Sequence, residues 1–387
     1  MLVALLEPSL GQSIDAAMRV RRNGNVPLIG DYRWEPEFWA SLIEKYDSAP
    51  TPPGVAWAAF SGGSTGSPRV IIRTHESWQN SFAPLNQLLQ LTADDTFYAP
   101  GSTASSMTLF SIAHAQDLGA DLVLGASVGV HAADLSAATF FHGTSTSFEQ
   151  VLALLERGNP SQLRVALVGG ENTTPQLRAR AQALGITVVA YYGAAELSFV
   201  AIDPDGCGLQ AFPGVDLELR DGILWSRSRY QSLGYLDGVA GALQKDDDGW
   251  ATVGDIAVCE SVHVLGSQED RYRILGRSDG AILTAGATVI PEEVEAVLNQ
   301  IDGVQASVVF GLATAGGILV AALIERSPQN PAHNLEFFRQ QTVASLSPTH
   351  RPRIWFETTE IPRTAGGKIA RNLVAKLAMQ KALSKLQ

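Results

Sequence analysis

The chain has 387 residues, which at roughly 150 residues per domain means two to three domains. Hydrophobic residues make up 45% and charged residues 17%, which excludes a disordered chain and allows large cores. With 28 basic and 39 acidic side chains the net charge is −11. That excludes a general nucleic-acid or anionic-membrane binder, which needs clustered Lys and Arg. The two cysteines, Cys207 and Cys259, are too few for a disulfide scaffold or a zinc site, and they fit a reducing compartment.

The apolar run Met1-Leu2-Val3-Ala4-Leu5-Leu6 has no basic segment before it and ends at Glu7 and Pro8. It is too short to span a bilayer, and no later window reaches ~18 uninterrupted apolar residues. The expectation is a soluble cytoplasmic protein. Ser48 to Gly54 is loop or linker in composition. Val55 to Phe60 reads as a buried strand, 61-SGGSTGSPR-69 as a Gly/Ser/Thr loop, and Val70 to Thr74 as a second strand, so the loop joins strand to strand.

From about 78 to 190 apolar runs alternate with helical patterns. Strands are expected at Leu122–Leu124, Arg164–Val168 and Ile186–Ala190, with helices at Phe148–Arg157 and Pro175–Leu184. This alternation predicts a largely parallel, helix-covered sheet, whose ligands sit outside the C-terminal strand ends. The loops after Phe60, Val168 and Ala190 are such positions. Between 213 and 276 short strands separated by Asp-Gly turns predict an antiparallel β region. Beyond Gly276-Arg277-Ser278-Asp279-Gly280 the pattern is α+β. Helices are expected at Pro291–Gln300, Leu335–Leu346 and Ala370–Leu386, and strands at Val304–Gly311 and Ile318–Ile324.

Several loops could carry chemistry, and each has a plain structural reading beside the functional one. Gly62-Gly63-Ser64-Thr65-Gly66 fits G-x-S-x-G, with Ser64 as an acyl nucleophile, but Pro68 and a β-branched run stand where that motif needs a helix. The same loop could instead grip an anion through backbone N–H groups, hydroxyls and Arg69, or be a plain turn. Ala190-Tyr191-Tyr192-Gly193-Ala194-Ala195-Glu196 offers an aromatic face for a base and a carboxylate for Mg²⁺, or is a strand end with core tyrosines. Thr252-Val253-Gly254-Asp255 could bind ribose hydroxyls or cap a turn. In 362-PRTAGGKIAR-371, Lys368 follows two glycines and could bring a point charge to a developing phosphoryl charge, or be an exposed loop lysine. The seven histidines include no H-E-x-x-H, so zinc hydrolysis has no support. No G-x-G-x-x-G suggests a dinucleotide cofactor.

Taken in order, 61-SGGSTGSPR-69, 169-GGE-171, 192-YGAAE-196, 254-GD-255, 276-GRSDGAILTAGATVIPEEVE-295 and 362-PRTAGGKIAR-371 resemble the adenylate-forming superfamily of AMP-binding acyl-CoA synthetases. In size the chain is most similar to o-succinylbenzoate–CoA ligases and related small acyl-CoA synthetases. The resemblance implies a large α/β N-terminal domain (1–276) with helix-covered β-sheets and a β-rich region. A hinge at 277–280 around Asp279 and a small mobile α+β C-terminal domain (281–387) would follow.

It also implies a two-step reaction: ATP and a carboxylate give an acyl-adenylate, whose acyl group passes to the thiol of CoA. By the resemblance Ser61, Ser64, Thr65, Gly66 and Arg69 hold the phosphates. Gly169, Gly170 and Glu171 lie along adenine, with Tyr192 stacked on it and Gly193 beside it. Glu196 binds Mg²⁺, Asp255 the ribose hydroxyls, and Arg277 ribose or phosphate. Lys368 bridges the α-phosphate and the attacking carboxylate, and Gly286 lines the tunnel for the thiol arm.

The chain departs from the family pattern at Arg69 and Leu283, where lysines are usual, and at Ala195, where threonine is usual. It departs again in 99-APGSTASSMTLF-110, which puts small and hydroxyl residues on the acyl-pocket wall. Two other acceptor or function readings stand beside the CoA ligase. One is an adenylating enzyme that loads the phosphopantetheine of an acyl or peptidyl carrier protein; the other is a nucleotide-binding relative without turnover. A homodimer is a further expectation.

Overall fold

The computed structural model describes residues 1–386 apart from Pro8, Glu35, 61–68, 125–128, 170–172, Asp237, 239–241, 265–266, 278–279, 284–287, 315–316, 327–332, 347–348 and 365–367. In chain order the first elements are β1 (Leu2–Leu5), α1 (Leu10–Arg22), β2 (Val26–Ile29), α2 (Pro36–Tyr46), β3 (Val55–Phe60), β4 (Val70–Thr74), α3 (Glu76–Leu89), β5 (Thr96–Tyr98) and α4 (Ser106–Leu118). There follow β6 (Asp121–Val123), α5 (Ala132–Leu135), β7 (Phe140–Thr144), α6 (Ser145–Glu156), β8 (Val165–Gly169), α7 (Pro175–Ala183), β9 (Thr187–Ala194) and β10 (Ser198–Asp203). The β-rich stretch holds β11 (Gln210–Ala211), β12 (Asp216–Arg220), β13 (Ile223–Arg227), β14 (Gly234–Tyr235), β15 (Gln244–Lys245), β16 (Ala251–Thr252), β17 (Asp255–Val264) and β18 (Ser267–Arg277). The last part holds β19 (Ile282–Leu283), β20 (Thr288–Val289), α8 (Pro291–Leu298), β21 (Val304–Thr314), β22 (Gly317–Arg326), α9 (Leu335–Ser345), β23 (Ile354–Thr358), α10 (Arg371–Met379) and β24 (Ser384–Lys385).

Local chemistry explains several helix starts. Ser9 accepts a hydrogen bond from the N–H of Gln12 at the head of α1. Thr144 and Ser147 form a reciprocal capping box on α6, and Thr174 caps α7 ahead of Pro175. Pro291 opens α8 with Glu292 and Glu293 in its first turn, where the helix dipole favours acids.

The N-terminal part makes two sheets: the strands before residue 75, with β14, form the first, and the α/β alternation from about 78 to 190 forms the largely parallel second, as its pattern predicts. The first has the order β1-β2-β3-β4-β14, with β1, β2 and β3 parallel and β4 and β14 antiparallel. The second has the order β11-β10-β9-β8-β7-β5-β6 and is parallel from β6 to β9. The first 55 residues are therefore built into the first sheet, and the 48–54 stretch is only the connection into β3. Helix α4 packs on β3 of the first sheet and on β6 and β7 of the second. Thr108 to Ala115 are buried right round it, so its sequence shows no amphipathic stripe. Trp57, Trp78, Phe82, Phe97, Phe110 and Phe140 share the core around it.

The antiparallel region forms a third sheet, β15-β16-β13-β17-β18, with β12 on β13. The last part has the four-stranded order β21-β22-β23-β24, with β22 and β23 parallel. The expected helix from Ala370 to Leu386 stops at Met379. Lys381 turns the chain at φ 57°, Ser384 and Lys385 pair with β23, and Leu386 is 4% exposed in the core. Burial of Leu386 beside Trp355 outweighs helix propensity there. Among the described residues no helix is long and apolar enough to cross a membrane.

Candidate functional site

The site residues that can be described gather where β8 and β9 end. Gly169 closes β8 opposite Tyr191, and a Cβ on Gly169 would overlap the Tyr191 ring. Glycine there lets the tyrosine lie directly on the strand end. β9 then turns back into β10 through Ala195, Glu196 and Leu197, and the turn is closed by Leu197 N–H donating to Ala194 O at 3.1 Å. Gly193 lies so close to the Ser198 carbonyl that any side chain would displace the turn.

Two groups of side chains meet on this turn. In the first, the Tyr192 hydroxyl donates to Asp255 Oδ2. Asp255 is 9% exposed at the start of β17, directly after the Gly254 turn (φ 82°), and its Cα pairs with that of Arg277 on β18. In the second, the Tyr235 hydroxyl donates to Glu196 Oε1 at 2.8 Å, and Ser232 N–H donates to Glu196 O at 2.8 Å. The Arg69 guanidinium lies over the Tyr235 ring, 5.6 Å from its centroid. Burial, and then the charge of Glu196, pushes the Tyr235 hydroxyl up to about 12, so it stays a donor.

Arg73 lies beneath this second group. It is 2% exposed, and its guanidinium donates to Ala195 O at 2.6 Å, Tyr230 O at 3.1 Å and Ser77 Oγ at 3.2 Å. Burial pushes it down to about 9, and the charge of Glu196 opposes that shift. Lys245 Nζ donates to Ser232 O at 2.6 Å, and burial lowers its pKa. The second sheet has its own polar chain. His142 Nδ1 meets Ser111 Oγ at 2.7 Å, and its Nε2 meets the Tyr191 hydroxyl at 3.0 Å. Burial drops His142 to about 3, so a neutral ring ties α4 to the strand that carries the turn.

The structure thus brings together Gly169, Tyr192, Gly193, Glu196, Asp255 and Arg69, with the backbone of Arg277 opposite Asp255. Ser61, Ser64, Thr65, Gly66, Gly170, Glu171, Asp279, Gly286 and the Arg277 side chain lie outside the described residues. Ser105 bridges Phe60, so the 99–110 segment runs beside the end of β3. No described hydrogen bond or ion pair joins Lys368 to the turn; it is exposed on a hairpin in which Thr364 N–H donates to Lys368 O at 2.7 Å and Ala370 N–H to Pro362 O at 2.9 Å. Sequence reasoning passed over Arg73 and Tyr235. Arg73 had a signal, as a lone charge in the apolar run Val70–Thr74; Tyr235 had none beyond a Gly-Tyr pair.

Glu196 is suited to a hard cation. One carboxylate oxygen is fixed by Tyr235, and no described residue donates a hydrogen bond to Oε2. Among the described residues no three His, Cys, Asp or Glu side chains cluster. A Mg²⁺ held here would draw most of its shell from water and ligand phosphates, its usual preference.

The profile described as AMP-binding enzyme matches residues 10–236, and the chain belongs to that family. An uncharacterized acyl–CoA ligase of Bacillus subtilis is 26% identical over 83% of this chain and 68% of its own length. A probable 2-succinylbenzoate–CoA ligase of Mycobacterium tuberculosis is 30% identical over 54% of this chain and 53% of its own. Among solved structures, o-succinylbenzoate coenzyme A synthetase from Bacillus subtilis in complex with ATP and magnesium ion superimposes with TM-score 0.79 at 16% identity, covering 96% of this chain and 88% of that one. ATP-bound MatB from Rhodopseudomonas palustris gives TM-score 0.79 at 16% identity over 97% and 88%.

Proposed function

We propose that this AMP-binding enzyme is an AMP-forming acyl–CoA ligase acting on ATP, Mg²⁺, CoA and a small-molecule carboxylic acid. The observation that carries the reading is the 192–196 turn, which presents the Tyr192–Asp255 pair and the Tyr235–Glu196 pair side by side. A carboxylate is a poor acyl donor because its leaving group would be oxide. Attack on the α-phosphate of ATP releases pyrophosphate and makes the acyl-adenylate; the thiol then displaces AMP. Charge gathers at phosphorus in the first step, so the protein's task is to supply fixed donors and cations.

In this reading Tyr192 covers the adenine, with Gly169, Gly170, Glu171 and Gly193 alongside. Asp255 accepts the ribose hydroxyls, and Arg277 meets ribose or phosphate. Ser61, Ser64, Thr65, Gly66 and Arg69 hold the β- and γ-phosphates. Glu196 holds Mg²⁺, which when bound neutralises phosphate charge. Lys368 donates to the α-phosphate and the incoming carboxylate. Because no described hydrogen bond or ion pair holds the exposed Lys368 at the turn, the reading has residues 281–387 move about a hinge at 277–280, near Asp279, and bring Gly286 to the thiol arm in the second step. The protein acts as a cytoplasmic enzyme, where exposed free Cys207 and Cys259 stay reduced.

ATP–pyrophosphate exchange over a panel of acids (o-succinylbenzoate, benzoate, malonate, medium- and long-chain fatty acids) tests the first step, and CoA-dependent AMP release tests the second. Exchange with at least one acid is expected. No exchange, with no ATP binding by calorimetry, overturns the reading. Transfer to a holo-carrier protein but not to CoA would replace the thiol donor.

A further inference from the structure

We infer that Arg73 is a positioning residue for the metal–nucleotide site: its buried guanidinium fork sets the peptide from which the Glu196 carboxylate projects. The inference rests on the reading of Glu196 as the Mg²⁺ ligand. Arg73 leaves β4 next to β14, which pairs with it through Gly234 opposite Ile72 and Tyr235 opposite Ile71. Three holds on Glu196 come from this edge of the first sheet. Tyr235 takes the carboxylate, Ser232 N–H takes the residue's own carbonyl, and Arg73 takes the carbonyl just before it. Only Arg73 among them also grips the return segment, through Tyr230 O.

The geometry is selective. A peptide group is planar, so fixing Ala195 O fixes the plane that ends at the Glu196 Cα. The hydrogen bonds that the side chain donates all go to neutral acceptors: two carbonyls and the Ser77 hydroxyl. Holding an arginine 2% exposed on such partners is costly for structure alone, since an apolar residue would fill the strand interior without desolvating a charge. The planar fork can bridge two carbonyls from different segments at once, which a lysine ammonium on a flexible stem does poorly. Residue 195 is alanine and brings no hydroxyl of its own, so the backbone of the turn must be held from below.

The test is calorimetry of ATP binding with Mn²⁺ and with EDTA, on the full-length wild type, Arg73→Lys and Glu196→Gln, with thermal melts for folding. For Arg73→Lys the affinity for metal-free ATP should stay within about twofold, while the gain in affinity supplied by Mn²⁺ falls about tenfold, the size usual for residues that orient a metal ligand. A wild-type Mn²⁺ gain in folded Arg73→Lys shows that the fork is not needed and overturns the proposal. Equal loss with and without metal shows a general structural or phosphate role and overturns it too. If Arg73→Lys does not fold, Ser77→Ala removes one acceptor from the fork; a loss of about threefold in the Mn²⁺ gain is expected, and an unchanged gain overturns the proposal. A full Mn²⁺ gain in Glu196→Gln instead removes the metal reading of Glu196, whatever Arg73 does.

Discussion

The 192–196 turn and the Lys368 hairpin are held in opposite ways. Around the turn the side chains themselves are tied: Tyr192 to Asp255, Glu196 to Tyr235, and the main chain to buried Arg73. At the hairpin the described side-chain ties lie at its base. Arg371, three residues beyond Lys368, is bound to Glu295 and Val309 O, and reaches Glu292 at 2.8 Å; Glu295 in turn accepts the Val309 N–H at 2.6 Å. Burial raises the Glu295 carboxyl, and the Arg371 charge opposes that. The lysine above this anchor is exposed. In the proposed reading the turn is the nucleotide bed and the hairpin the part that changes place, a division that suits a two-step reaction.

The sharpest way to break this contrast is to cut the anchor. Arg371→Met would leave Glu295 buried without its cation, which costs about 3–5 kcal/mol. Hydrogen exchange should show that loss in α8 and α10, with the strands around the turn unchanged. A loss under about 1 kcal/mol would mean that the hairpin base does not depend on the pair. Lys368→Ala should do the reverse. Adenylate formation should fall about 10²–10³-fold, the scale for losing one charge-stabilising donor, with an unchanged melting temperature. In single turnover from preformed acyl-adenylate, the thiol step should change far less. Equal loss in both steps would contradict a lysine that serves only the first.

The same contrast explains what the sequence could reveal. Strands bounded by turn residues, and helices with Ser/Thr caps or Pro at the first position, were legible because their causes are local. The pairing of the first strands was not, because nothing local in Val55–Phe60 says whether it pairs with Val26–Ile29 or with the strands after residue 96. The C-terminal helix was overcalled because Leu386 is drawn into a core that only the folded chain forms. In the candidate site, Tyr192, Glu196 and Asp255 could be singled out through the family resemblance, and the structure places them around one turn. Arg73 and Tyr235 were not, because their partners lie 122 and 39 residues away.

Acid should loosen the N-terminal region. His142 and His114 are both held neutral, each lowered to about 3 chiefly by burial, against 6.5 when unfolded. Between those values the unfolded chain binds more protons than the native one, so stability falls as pH falls below 6.5. Going from pH 6.5 to 5.5 should cost about 1 kcal/mol per histidine. His142→Gln should show a shallower fall in urea midpoint than the wild type over that range. An unchanged slope would mean that the ring does not stay neutral in the native state.

The smallest effect asks which tie on Glu196 matters. Tyr235→Phe deletes the hydroxyl that donates to Oε1 at 2.8 Å and leaves the ring under Arg69. A hydrogen bond to a charged group is worth about 1.5–3 kcal/mol when buried, and the half-exposed position reduces that toward about 1 kcal/mol, or roughly fivefold in affinity for Mg·ATP. The freed carboxylate would gain rotamer freedom, so the loss should appear in binding with metal and vanish without it. If calorimetry finds no difference even with metal, the carboxylate owes its aim to the backbone alone. The ties through Ser232 N–H and Arg73 would then be sufficient, and the side-chain bond would be a consequence of the turn's shape rather than a cause of it.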